Sequence, residues 1–176
     1  AGQPEAAPAS PSDLGANPAA KAPDGIDPNR FGGKATDEPY GAFQRGLYKT
    51  AYNLGLPRAE AGDAAAQTLV AEILSRGLGM PRNDTEAARW YQRAAEQGVP
   101  EAQFQYALLL LDGKYVTRDE KAATALMQAA AEAGNRFAQF NYAQMLVQRE
   151  AGEKGLVKAV PYYERSAETG LADAQY

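Results

Sequence analysis

Ala94-Ala95-Glu96-Gln97-Gly98, Ala130-Ala131-Glu132-Ala133-Gly134 and Ser166-Ala167-Glu168-Thr169-Gly170 are three spellings of one phrase, and their glycines lie 36 residues apart. A partial copy, Arg58-Ala59-Glu60-Ala61-Gly62, stands one period earlier. A second column follows each glycine in the same register: Ala66-Gln67, Ala102-Gln103, Ala138-Gln139 and Ala174-Gln175. Two phrases recurring in step over four periods identify an internal repeat, and a period of this length belongs to stacked supersecondary units.

Each period divides into two helices. In the first, from Asp63 to about Arg76, small or apolar residues fall at Ala66, Val70, Ala71 and Leu74. Their counterparts are Ala102, Tyr106, Ala107 and Leu110, then Ala138, Tyr142, Ala143 and Leu146. Spacings of three and four place each set on one helical face. The second helix is expected to begin at a column holding Asn83, Asp119 and Gly155, all acceptable N-caps. Its buried stripe reads Ala87, Trp90, Tyr91, Ala94; then Ala123, Leu126, Met127, Ala130; then Ala159, Tyr162, Tyr163, Ser166. The closing glycine supplies a left-handed C-cap that turns the chain into the next unit. The repeats therefore run 62–97, 98–133 and 134–169, with a partial unit at 40–61 and a truncated fourth at 170–176.

Irregularities carry their own expectations. Gly77 and Gly113 mark the turn within the first two repeats, whereas the third has Arg149 in that column, with Gly152 and Gly155 displaced. That turn should differ in shape. Pro161 should either kink its helix or make it start late, and Pro57 with Gly55 should bend the segment from Tyr40 to Ala61. Tyr40, Phe43, Leu47 and Tyr48 should cap the first repeat.

Residues 1–39 are a different kind of chain. They hold seven of the eleven prolines and only Leu14, Ile26 and Phe31 as large apolar residues. Such a stretch cannot bury enough apolar surface to offset its ordering entropy, so disorder is expected. Its Ala/Pro-rich opening from Ala1 is what a cleaved export signal leaves, and a cloned fragment leaves the same. A periplasmic or exported location is the expectation, with the cytoplasm as the alternative.

Composition narrows function. The net charge of −4 comes mostly from residues 1–39, and the remainder is nearly neutral with 15 basic and 16 acidic side chains. Without a clustered basic face, nucleic acid and anionic membrane surfaces are poor partners. The longest apolar run, Ala107 to Leu111, is far short of the roughly 20 residues needed to span a bilayer. There is no Cys and no His, so thiol nucleophiles, thiolate zinc sites and imidazole acid–base chemistry are absent. Gly77-Leu78-Gly79 lacks the preceding strand and the spacing of a phosphate cradle. No catalytic residue, metal site or cofactor is expected.

The same residues resemble the Sel-one-like repeat family, a relative of the tetratricopeptide repeats. Repeat one matches it through Ala66, Val70-Ala71, Gly77-Leu78-Gly79-Met80, Asn83, Ala87, Trp90-Tyr91 and Ala94-Ala95-Glu96-Gln97-Gly98. Repeat two matches through Ala102, Tyr106-Ala107, Gly113, Val116, Asp119, Ala123 and its closing glycine. The resemblance implies an all-α fold, a right-handed α-α superhelix or solenoid of antiparallel helix pairs, with first helices lining the concave face. It also implies an adaptor, in bacteria often exported or envelope-associated. Some secreted members carry a disulfide in each repeat; this cysteine-free chain departs from them.

The candidate partner-binding stripe lies on the first helices of repeats two and three. Phe104, Leu108 and Leu111 fall at i, i+4 and i+7, and Phe140, Gln144 and Val147 take the same columns one repeat later. Facing a groove, the stripe could grip an extended peptide or a helix; alternatively, Phe104 and Phe140 pack between adjacent repeats. Gln67, Gln103, Gln139 and Gln175 form a polar series that could bind a ligand backbone or serve the repeat itself. Glu96, Glu132 and Glu168 are read as inter-repeat hydrogen-bond acceptors. The expectation is a monomeric, non-enzymatic scaffold binding a protein or peptide through its concave face. The alternative is a regulatory inhibitor domain restraining a sensor or an envelope enzyme.

Overall fold

The computed structural model describes residues 38–174, with side chains described through Gly170. The expected disordered segment lies outside the described residues up to position 37, as do Gln175 and Tyr176. Among the described residues there are eight helices and no strand: α1 (Glu38–Gln44), α2 (Tyr48–Glu60), α3 (Ala64–Arg76), α4 (Asp84–Glu96), α5 (Pro100–Asp112), α6 (Glu120–Glu132), α7 (Arg136–Arg149) and α8 (Glu153–Ala174). The substantial packing contacts all join helices consecutive in the chain. That nearest-neighbour arrangement is the signature of a solenoid.

The helices begin where polar side chains can satisfy their open N–H groups. Asp63, Asn83, Asp119 and Asn135 accept hydrogen bonds from the backbone N–H of Ala66, Glu86, Ala122 and Ala138. Helix α5 starts instead with Pro100, which has no N–H to satisfy. Between repeats the chain turns through one motif used three times. The N–H groups of Gly98 and Val99 donate to the carbonyls of Ala95 and Ala94, and the same pair of bonds recurs at Gly62 and Gly134. All three glycines have positive φ (101°, 87° and 97° at 62, 98 and 134), as this closure requires.

Within repeats one and two, Asn83 N–H reaches back to the Leu74 carbonyl (2.9 Å) and Asp119 N–H to that of Leu110 (3.1 Å). These bonds fold the two inner connections alike. Alanines at 59, 66, 71, 87, 94 and 102 join Val70, Leu74, Trp90 and Tyr91 in one core cluster. A second cluster centres on Phe104, Leu110, Met127 and Tyr142, and a third on Ala42, Ala51, Leu69 and Ile73.

The third repeat departs from the expected pattern in a definite way. Its inner turn is cut to residues 150–152, so α8 begins at Glu153 and Gly155 lies inside the helix instead of capping it. A Cβ at Gly155 would collide with the Glu150 carbonyl oxygen, and only glycine permits so close a return of α8 upon the turn. Pro161 does not delay the helix; α8 runs through it. Proline removes the bond that would reach Val157, and both residues are exposed, so water can hydrate that carbonyl. Gly170 is likewise helical, not a C-cap, because α8 continues to Ala174.

At the other end, the break in the 40–61 segment falls at Gly46, not at Gly55 or Pro57. Gly46 takes a φ of 75° and divides α1 from α2, while Pro57 is carried within α2. Gly55 serves contact: a Cβ there would meet Val70 Cγ2 at 3.4 Å, so α2 lies close on α3. Of the four expected capping residues, Phe43 packs on the third cluster and its ring meets that of Tyr48 edge-on at 5.4 Å, while Tyr40 and Leu47 remain exposed.

Candidate functional site

The six stripe residues occupy α5 and α7 but divide by depth. Phe104 is only 8% exposed and belongs to the second core cluster. Its ring stacks on Phe137 at 6.0 Å between centroids and 23° between planes, so it packs one repeat on the next. Leu111 and Val147 are half-buried. The accessible part is Leu108 (36% exposed), Phe140 (46% exposed) and Gln144. Phe140 meets Tyr163 of α8 edge-on at 5.4 Å, which fixes one side of the ring and leaves the other open.

Phe137 completes this surface and was missed by the sequence pattern. It is 51% exposed, with the Arg136 guanidinium 4.6 Å from its ring centre. The signal was present, since the first two repeats place Ala65 and Glu101 in that column and the third places an aromatic. The stack of Phe137 on Phe104 links Leu108, one turn along α5, with Phe140 on α7. Leu108, Phe137 and Phe140 are thus exposed large apolar side chains on two first helices.

Three members of the polar columns, Gln67, Gln139 and Glu132, make contacts within the fold. Gln67 and Gln139 are buried, and their amide nitrogens donate to the carbonyls of Ala59 (3.1 Å) and Ala131 (3.2 Å), bracing the turn between repeats. Gln175 lies outside the described residues. Glu132 accepts from the Tyr162 hydroxyl at 2.6 Å and from Arg165 at 3.4 Å, both in the next repeat. That hydrogen bond foremost, with desolvation and the Glu132 charge, pushes the Tyr162 hydroxyl up to about 12. No group of three or more His, Cys, Asp or Glu side chains among the described residues is placed to hold a metal ion. No described helix is long and apolar enough to cross a membrane.

Repeated helix pairs of one length, closed by one turn motif, define a helical-repeat solenoid. The Sel1 repeat pattern matches residues 64–99, 100–135 and 136–171, and the chain belongs to the Sel1 repeat family. Among solved structures it is similar to a protective antigen of uropathogenic Escherichia coli displaying an SLR fold, with 36% identity and a TM-score of 0.62 over 72% of this chain. It is also similar to a Sel1 repeat protein from Oxalobacter formigenes, with 27% identity and a TM-score of 0.66 over 74% of this chain. The chain spans 27% of the first protein's length and 54% of the second's. No curated protein matches the sequence. Sel1 repeat proteins are in general protein-interaction scaffolds and typically non-catalytic.

Proposed function

We propose that this chain is a non-catalytic scaffold that holds a partner protein on the face formed by its first helices, the expected concave face, in a bacterial envelope. The observation that carries the reading is the ridge of Leu108, Phe137 and Phe140, which stays accessible while Phe104 beneath it is spent on packing. A partner helix or extended segment laid on this ridge would bury two aromatic rings and a leucine, and contacts of that kind dominate binding energy. Gln144 and the half-buried Leu111 and Val147 would border it. Similarity to a protective antigen of a pathogenic bacterium supports the envelope location.

The test is affinity capture from the native envelope with wild type and Leu108→Ala/Phe137→Ala/Phe140→Ala, alongside circular dichroism. The variant is expected to keep its helicity and lose one specific partner. Undiminished capture by a fully helical variant would move the site off this ridge.

A further inference from the structure

Repeat one departs from repeat two at one place inside the helix stack. Where repeat one packs on repeat two, Ser75, Tyr91 and Leu109 hold the columns that Leu111, Met127 and Met145 fill where repeat two packs on repeat three. In repeat two Met127 is fully buried, and Leu111 and Met145 pack on the same cluster. Apolar side chains can fill these columns, as repeat two shows, while the tyrosine of repeat one recurs as Tyr163 in repeat three. Beside Tyr91, α3, α4, α5 and the α3–α4 connection border a partly open cavity of about 240 Å³, lined by Ser75, Arg82, Asp84, Tyr91, Gln105 and Leu109. That volume suits one side chain better than a cofactor.

Its hydrogen bonds are accounted for unevenly. Tyr91 is only 4% exposed, and its hydroxyl has Ser75 Oγ as partner at 3.4 Å, beyond the usual O–H···O range. The Ser75 hydroxyl donates to the Glu72 carbonyl at 3.1 Å, so Tyr91 is the donor of the long bond and its oxygen keeps its lone pairs. Gln105 Nε2 donates to Glu101 at 3.0 Å, which leaves the amide oxygen, and Asp84 Oδ2 takes Arg82 Nε at 2.7 Å, which leaves Oδ1. The spare capacity of the cavity is in acceptors. Burial foremost pushes the Tyr91 hydroxyl up to about 12, with the Ser75 hydrogen bond and Arg76 opposing and the carboxylates of Glu72 and Glu101 adding to it, so the hydroxyl stays neutral.

We propose that this cavity receives one lysine side chain of the bound partner, its ammonium among Asp84 Oδ1, Gln105 Oε1 and the Tyr91 oxygen, its stem along Leu109. An ammonium brings three donors and no acceptor, and its four-carbon stem packs on apolar surface. The inference rests on the scaffold reading but not on the apolar ridge.

The experiment is amide NMR of the full chain titrated with Nα-acetyl-lysine methylamide, with the capped norleucine and glutamate as controls. Saturable shifts near Ser75, Tyr91 and Leu109 are expected with lysine only. Asp84→Asn should weaken this binding roughly tenfold, the loss of one charge-assisted contact. Ser75→Leu/Tyr91→Met should abolish it while installing the pair that repeat two already carries; if that variant unfolds, Asp84→Asn decides alone. An equal response to norleucine, a preference for glutamate, no saturable shift, or indifference to Asp84→Asn would overturn the assignment. Leu108→Ala/Phe137→Ala/Phe140→Ala should bind the capped lysine as wild type does, so the two sites fail or stand separately.

Discussion

Gln67 shows how one side chain joins two repeats. It donates to the Ala59 carbonyl behind it, and its own oxygen accepts from Gln97 Nε2 at 2.9 Å, a residue 30 positions ahead that also reaches the Gly62 carbonyl at 3.0 Å. Gln139 makes the first bond and lacks the second; its buried Oε1 has no partner, because the residue 30 positions ahead is Thr169, whose hydroxyl donates to Arg165 O. Gln97→Ala should therefore cost about 1–2 kcal/mol in chemical denaturation, the usual effect of orphaning a buried acceptor. The two stripe phenylalanines should part company in the same assay. Phe104→Ala should cost about 3–4 kcal/mol for its lost packing, and Phe140→Ala under about 1 kcal/mol. Tyrosine titration offers a third reading. Tyr91 and Tyr162 have folded pKa values of about 12 against an ordinary 10.0, because both sites hold the neutral form. Their contribution to stability is complete below pH 10 and is lost as the pH rises toward 12. Tyr162→Phe should flatten the fall in unfolding midpoint across that window.

Among the elements, what was legible in the sequence is what the repeat itself dictates. The buried columns at Ala66, Val70, Leu74, Ala87, Trp90, Tyr91 and Ala94 follow from spacing alone, because neighbouring helices impose the same face on every copy. The unrepeated parts were not legible. Gly55 and Pro57 look like a helix break in one dimension, yet Gly55 is the small residue that brings α2 close to Val70, and Gly46 makes the break. Gly155 likewise stands in a capping column and is instead a contact glycine, which only the shortened turn of repeat three reveals. Gly155→Ala and Gly98→Ala separate the two uses. At Gly98 there is open space and the cost is the left-handed φ, about 1 kcal/mol; at Gly155 the added carbon collides with backbone, so the loss should be larger and centred on the α7–α8 turn. Thermal unfolding with amide NMR reads both.

For the molecule as a whole, the proposed role is contact through the surface of a near-neutral stack of consecutive helices. The sequence placed the candidate stripe on α5 and α7 but could not give the depth of its members. Phe104 and Phe140 share a column and differ in exposure because Phe137 covers the first, and a residue outside the repeat pattern cannot be found from that pattern. The cavity beside Tyr91 was hidden for the opposite reason: Tyr91 sits in a core column, and its polarity shows only against Met127 of repeat two. The central claim, binding on the first-helix face, is tested most directly by hydrogen–deuterium exchange of the chain with its captured partner bound. Protection should concentrate on residues 100–112 and 136–149, the helices that carry the ridge. Protection confined to α4 and α6, with α5 and α7 unchanged, would contradict it.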